Sequence, residues 1–318
     1  MLVIQRVWLI ERYPEGPPSA ATWREYDAMK PLDFGVPVGS LQDATIALFR
    51  RAGWNIMISS RNYFPEVDDD ELRCTLMRAQ EMSRYVESGT LDAGITGKDW
   101  TLENDSDVEI VEVLPYSRGS TRPTQLVLAV PNTSEVKVIE DLEGKTIAAE
   151  MVRFTQRYFH ERNIDVTVEF SWGATEAKVA GGLVDAIVDS TETGSTLRAH
   201  GLRVVETLLT SYPHVIANRA AYADPEKKAK IDQVAMMLKA ALDAGSRVAL
   251  KMNLPKDRLD AMIGLLPSVT APTVADLYGQ PWVSVEIVVD ERQVRELMPR
   301  LMQAGAVGII EFPLNKFV

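Results

Sequence analysis

Residues 184–201, VDAIVDSTETGSTLRAHG, set an acid, a group of hydroxyls and one glycine between a strand-like and a helix-like run. Val184 with Ala186–Val188 reads as a buried parallel strand, and Leu197 onward as the start of a helix. The turn therefore stands at the carboxyl end of a strand. Open α/β sheets bind ligands there, because the N–H groups opening the next helix are unpaired and its dipole favours an anion. Thr193, Gly194, Ser195 and Thr196 supply donors and a residue without Cβ, which is the chemistry of a phosphate cradle. Asp189, just ahead of them, suits sugar hydroxyls or a magnesium-bound water better than a phosphate. An ordinary turn capped by Thr193 or Ser195 is the alternative, since the pattern matches neither common phosphate-loop motif.

The chain must also build the frame that holds this turn. Its 318 residues suffice for two or three domains. With 46% hydrophobic and 25% charged residues it has the composition of a soluble globular protein. No apolar stretch approaches the ~20 residues of a membrane helix, so no membrane partner is expected. A net charge of −11 argues against nucleic acid, whose phosphates demand a basic surface. The single cysteine, Cys74, reads as a core thiol and fits a reducing cytoplasm, and the three histidines lack metal-ligand spacing.

Residues 1–30 read as an N-terminal extension; disorder is one expectation for it, and Met29 is an alternative start. Strands and helices then alternate: LDFGVPV, a helix over LQDATIALFRRAGW, strands NIMISS and LRCTLMR, a helix over AQEMSRYVESG, strand LDAGITG and helix KDWTLEN. A second unit carries strands TQLVLAVP, TIAAE, VTVEFS and DAIVDS, with helices at 153–162, 175–182 and 196–200. Strand HVIANRA returns to the first unit and a helix at 226–245 follows. Such alternation means α/β units with mostly parallel sheets. This divides the chain into lobe I (31–125 and 213–245) and lobe II (126–212), joined by two crossings that leave a cleft, the usual place for a ligand. Residues 246–318 spell βαββαβ, a ferredoxin-like (ACT-like) module, read as an effector sensor or an oligomerisation domain.

Three stretches, GVPVGSLQDAT, LDAGITGKDW and GATEAKVAGGLVDAIVDSTETGSTL, together with the βαββαβ tail, resemble the ATP phosphoribosyltransferase family in its long form, over residues 32–318. The resemblance implies a catalytic part with the two-lobed fold of type II periplasmic binding proteins. It implies a pentosyl-transferring glycosyltransferase that joins N1 of ATP adenine to phosphoribosyl pyrophosphate (PRPP), using Mg²⁺, at the entry to histidine biosynthesis. By the same pattern Thr193, Gly194, Ser195 and Thr196 hold the ribose 5-phosphate, Asp189 meets the ribose hydroxyls beside Glu192, and Glu176 supports the loop. Arg61, Arg78, Gly94, Gly97 and Asp99 match the nucleotide side, with Asp189 and Arg78 as the catalytic pair. Arg78 has an alternative as a salt-bridge partner of Glu81, and Asp99 as a structural cap. Asn253, Thr273, Val288 and Gly308 match a histidine-binding pocket between subunits, in a homo-oligomer of dimers up to a hexamer. A non-catalytic protein that captures a small ligand in the same cleft is the rival reading.

Two positions depart from the family pattern. Val38 stands where a lysine is common before the glycine of GSL, and Gln125 where an arginine is frequent. Arg118, Arg122 and Lys98 are the candidates to make good the missing charge.

Overall fold

The computed structural model describes residues 31–59, 62–117, 121–267 and 271–318. The N-terminal extension and Arg61 lie outside them. In chain order the first elements are β1 (Leu32–Val38), α1 (Gln42–Ala52), a short hairpin of β2 (Ile56–Met57) and β3 (Glu66–Val67), and β4 (Leu72–Arg78). They continue with α2 (Ala79–Glu87), β5 (Ala93–Gly97), α3 (Lys98–Asn104) and β6 (Glu109–Val113). A second run has β7 (Thr124–Pro131), β8 (Thr146–Ala149), α4 (Val152–His160), β9 (Thr167–Phe170), α5 (Thr175–Ala180), β10 (Ala186–Thr191), α6 (Ser195–Ala199) and β11 (Leu202–Ser211). The chain then returns through β12 (Pro213–Ala217), α7 (Arg219–Ala223) and α8 (Pro225–Ala244). It ends in β13 (Arg247–Pro255), α9 (Leu259–Ile263), β14 (Thr273–Asp276), β15 (Trp282–Asp290), α10 (Glu291–Gln303) and β16 (Val307–Pro313).

These strands form two five-stranded sheets of matching topology. One runs β4-β1-β5-β12-β6 and the other β11-β7-β10-β8-β9. In each, the strand adjoining a crossing is inserted antiparallel: β12 beside β5 and β6, β7 beside β10 and β11. This is the two-lobed α/β arrangement expected from the sequence. β10 is parallel to β8 yet antiparallel to β7, so the strand leading into the hydroxyl turn has mixed neighbours.

Strands covered on both faces are near-continuously apolar, as in β1, where Leu32, Phe34 and the three following residues are buried and Asp33 and Val38 are half-buried. Phe34 meets Phe49 of α1 edge-on at 5.7 Å, and α8 closes the layer with Ile231, Val234 and Leu238. Helix α8 starts cleanly because Asp224 accepts from the Glu226 and Lys227 N–H groups and Pro225 occupies the first turn. Cys74 is buried in this core, and burial pushes its thiol up to about 12, which removes it as a nucleophile.

Besides the two-residue β3, two longer strands escaped the sequence reading. β6, EIVEV, and β11, LRVVETLLTS, mix polar with apolar residues, and β11 is broken by register shifts against β7. Both are edge strands of their sheets, half-covered, and neither shows the continuous apolar run that marks the centre. The segment NIMISS forms only the two-residue β2.

The last domain has the expected βαββαβ order and a wholly antiparallel sheet, β14-β15-β13-β16. Val248, Leu250, Met252, Leu254, Val283, Val285, Ile287 and Val289 point to the helices and make its core. Alternation along the strands turns Asn253, Ser284, Val288 and Thr273 to the opposite, helix-free face.

Candidate active site

The carboxyl ends of β1, β4 and β5 in lobe I face the end of β10 in lobe II across a cavity of about 260 Å³. Lobe I contributes Val38, Gly39, Ser40, Arg78, Gln80, Gly97, Asp99 and Tyr116, and lobe II contributes Glu150, Ser190 and Glu192. Gly39, at φ 90°, ends β1 with a backbone that side chains resist, so the chain turns away and leaves the floor open.

On the lobe II side the turn is shaped by its own hydroxyls. Gly194 N–H donates to Thr191 Oγ1 at 2.8 Å, Thr193 Oγ1 donates to Ser195 Oγ at 3.0 Å, and Gly194 takes φ 67°. Thr193, Ser195 and Thr196 are exposed, one turn beyond the cavity wall formed by Ser190 and Glu192. Ser117, in the crossing segment, donates to Glu192 Oε2 at 3.1 Å. Asp189 has its carboxyl pushed up to about 6 by burial first, then by the charges of Glu176 and Glu150. Three carboxylates thus converge here, and the Ser190 N–H is the hydrogen bond that favours the ionised form of Asp189.

On the lobe I side, Arg78 ends β4 in register with Val38 of β1. Its guanidinium lies 5.8 Å from the centre of the Trp172 ring in lobe II, while Glu81 sits 3.8 Å from Arg84. Asp99 is raised by burial, opposed by hydrogen bonds from the Trp100 N–H and Ser211. Gly97 is required beside it, since a Cβ there would lie 1.9 Å from Asp99 Oδ1. Gly94 is placed elsewhere. It pairs with Gly35 inside the sheet, and Cβ atoms at the two positions would lie 2.7 and 2.1 Å from Met82 Sδ. Its glycine makes a slot for Met82, and Gly94 is not among the residues that line the cavity.

Glu150, Gln80, Ser117, Tyr116 and Trp172 were not singled out from sequence. Glu150 is held up by burial, with a hydrogen bond from Gln80 of the other lobe opposing the shift. His214, on β12, is buried with Nδ1 unpartnered among the described residues, and burial with Lys98 nearby brings it down to about 4. It is neutral at pH 7. Arg122 lines a different cavity, of about 620 Å³, with Arg51 and Arg292, and Arg118 is outside the described residues.

The lobes are also joined behind the cleft. Glu103 of α3 accepts the N–H groups of Arg153 (3.1 Å) and Phe154 (2.7 Å) that open α4, and Arg157 donates to the Leu102 carbonyl. Met151, at the cap position of α4, supplies no side-chain acceptor. One lobe therefore caps a helix of the other. Glu103→Ala is expected to cost about 1–2 kcal/mol and to lower the melting temperature by roughly 2–4 °C per kcal/mol, with Glu103→Gln recovering most of it. An unchanged calorimetric melt for Glu103→Ala would remove the cap from the account.

In the C-terminal domain, Gly308 (φ 60°) approaches Asn253, whose Nδ2 would lie 3.8 Å from a Cβ there. Thr273 is on β14, at the other edge of the sheet from β16, roughly 14 Å away by strand spacing. Asn253, Thr273, Val288 and Gly308 share a sheet face without closing a pocket inside one protomer.

The fold and cleft define a two-lobed α/β protein carrying an appended antiparallel-sheet domain. A family model described as ATP phosphoribosyltransferase matches residues 78–240, and one described as HisG, C-terminal domain, matches residues 244–316. The chain is 60% identical over 285 residues to an ATP phosphoribosyltransferase of Desulfatibacillum aliphaticivorans, covering 90% of this chain and 98% of that protein. It is 58% identical over 287 residues to ATP phosphoribosyltransferase 1 of Geobacter sulfurreducens, covering 90% and 99%. Its fold is similar to that of a chain in an ATP phosphoribosyl transferase (HisG:HisZ) complex from Thermotoga maritima, with a TM-score of 0.57 and 24% identity, covering 67% of this chain and 98% of that one. The chain belongs to the ATP phosphoribosyltransferase family, which works with a divalent metal ion. Among the described residues no helix is long and apolar enough to cross a membrane.

Proposed function

We propose that the cleft joins N1 of ATP adenine to C1 of PRPP, releasing pyrophosphate, and that histidine bound at the C-terminal domain restrains the reaction. The observation that carries this reading is that Arg78 of lobe I lines one cleft with Ser190 and Glu192, which open the hydroxyl turn after Asp189 in lobe II. Membership of a family of transferases weighs against the non-catalytic binder.

The chemistry asks for little acid–base machinery. The N1 lone pair forms the new bond to C1 as the C1–O bond breaks and its electron pair leaves with pyrophosphate. Positive charge develops at C1 and then on the alkylated adenine. Carboxylates held in place beforehand, Asp189 with Glu176 and Glu150 behind it, stabilise that charge without reorganising. In this reading Thr193, Gly194, Ser195 and Thr196 hold the 5-phosphate, with Glu192 beside Asp189 at the ribose. Arg78, Gly97 and Asp99 position the nucleotide, and Arg61 joins them from outside the described residues. Holding both substrates in line is the larger part of the work.

Magnesium fits the cleft as a substrate-borne ion. Burial first, and then the charges of Glu176 and Glu150, raise Asp189 and mark a place short of positive charge, yet among the described residues no three His, Cys, Asp or Glu side chains lie close enough to ligate a metal directly. Asp189 and Glu176 would hold its waters, and the ion would neutralise the pyrophosphate oxygens.

The exposed apolar groups Val307, Ile310 and Phe312 on the helix-free sheet face support pairing with a second copy, which would complete the histidine site around Asn253, Thr273, Val288 and Gly308. That pairing is the basis for a homohexamer built from dimers. A soluble, cytoplasmic enzyme is the setting that fits.

The test is chromatographic detection of phosphoribosyl-ATP from ATP, PRPP and Mg²⁺ with pyrophosphatase, with and without histidine. Product suppressed by histidine supports both halves of the proposal. Product indifferent to histidine removes the regulatory half, and no product with substrates bound removes the catalytic half.

A further inference from the structure

Trp172 is 70% exposed and Phe170 is 65% exposed, an expensive way to place two large aromatic rings. The segment that carries Trp172 is nevertheless held firmly. Ser171 and Thr175 are buried on either side of it with their hydroxyls 2.9 Å apart, and between them Gly173 and Ala174 both take left-handed backbone, at φ 73° and 49°. A left-handed alanine is disfavoured and persists where surrounding contacts impose it. The indole is thus presented from a fixed turn, four residues ahead of Glu176. Its face is turned to the other lobe, where the Arg78 guanidinium lies 5.8 Å from the ring centre.

We propose that Trp172 is the stacking face for the purine ring of the nucleotide substrate, and that Arg78 covers this face until the nucleotide's phosphates draw the guanidinium away. The inference rests on the reading of the cleft as an ATP site. A planar guanidinium and a purine are alternative partners for an indole face. The guanidinium, however, pairs with phosphate oxygens through charge-assisted bidentate bonds that a ring cannot match. A nucleotide therefore brings both the anion that takes Arg78 and the ring that replaces it. The neighbouring carboxylates Glu150, Glu176 and Asp189 reinforce the polarity. They disfavour a triphosphate lying directly over the indole and leave the ring face to the uncharged base.

The experiment is calorimetric binding of ATP alone, and of PRPP with Mg²⁺ alone, to the full chain and to Trp172→Ala and Trp172→Phe. Because the ring is mostly in water, neither substitution removes core packing. The expected result is an ATP Kd raised about tenfold in Trp172→Ala, within about threefold of the parent in Trp172→Phe, and a PRPP Kd unchanged in both. An unchanged ATP Kd in Trp172→Ala overturns the proposal. So does a parallel loss of PRPP binding, which would make Trp172 a support of the lobe rather than a base contact. Absence of product from the unaltered protein would count against the transferase reading alone, because these binding arms do not depend on turnover.

Discussion

Asp189→Asn is expected to give a protein that is harder to unfold and far slower to turn over. In the fold the Asp189 carboxyl is raised to about 6 from 3.8, by burial and then by Glu176 and Glu150. A raised acid binds its proton more tightly when folded than when unfolded. Its favourable contribution is therefore full below about pH 3.8 and is lost as pH rises through about 6. At pH 7 the ionised group strains the fold, by roughly 1–2 kcal/mol after allowance for its contact with solvent. Asparagine keeps the shape and removes the charge. The variant should melt above the parent at pH 7.5, and the two melts should converge at pH 4. Activity should move the other way. Loss of a preorganised charge opposite the developing cation is expected to lower kcat/KM by about 100-fold or more. The parent's kcat/KM should also fall below about pH 6, a limb that the variant lacks. A variant within threefold of the parent at pH 7.5 would take Asp189 out of the reaction. A variant that melts earlier at pH 7.5 would refute the strain.

Val38→Lys is the second large effect, in the opposite direction. Val38 lies in the cavity wall, in register with Arg78, at the position where the resemblance read from the sequence leads one to expect a lysine. A cation there stands beside a second cation, an arrangement that an anionic substrate stabilises and that is mildly unfavourable without one. Adding a charge-assisted contact to a phosphate is worth on the order of 1.5–3 kcal/mol, or roughly tenfold to a hundredfold in kcat/KM. Val38 also packs against the lobe I core, so a slightly lower melting temperature should accompany the gain. Val38→Met separates the effects, since it keeps the apolar contact and adds no charge. Steady-state kinetics at low salt, varying PRPP and ATP in turn, would show which substrate meets the new charge. Unchanged kinetics would mean that Arg78 and the hydroxyl turn already satisfy the phosphates.

Several features of this protein were legible along the chain because their causes are local. The apolar runs of β1, β5, β7 and β10 announce strands covered on both faces. The hydroxyls of residues 190–196 and the left-handed Gly194 belong to one short turn whose shape depends on its own side chains. The order βαββαβ follows from alternating patterns that each span about ten residues. The half-covered edge strands β6 and β11 carried a weaker signal, because only one face of each is obliged to be apolar.

What tertiary structure alone decided was which distant residues meet. Gly94 lies within a glycine-rich motif in sequence, yet its lack of a side chain answers to Met82, packed across it from α2. Glu103 is an unremarkable acid until α4 of the other lobe arrives with two open N–H groups. Trp172 and Arg78 are 94 positions apart and join only where the lobes face each other. Asp189 announced itself as an acid by sequence. Its raised carboxyl depends on burial and on charges supplied by Glu150 and Glu176, from different elements. Local patterning selects secondary structure through contacts a few residues long, whereas a cleft and its electrostatics are sums over groups that only the packed lobes bring within a few ångströms.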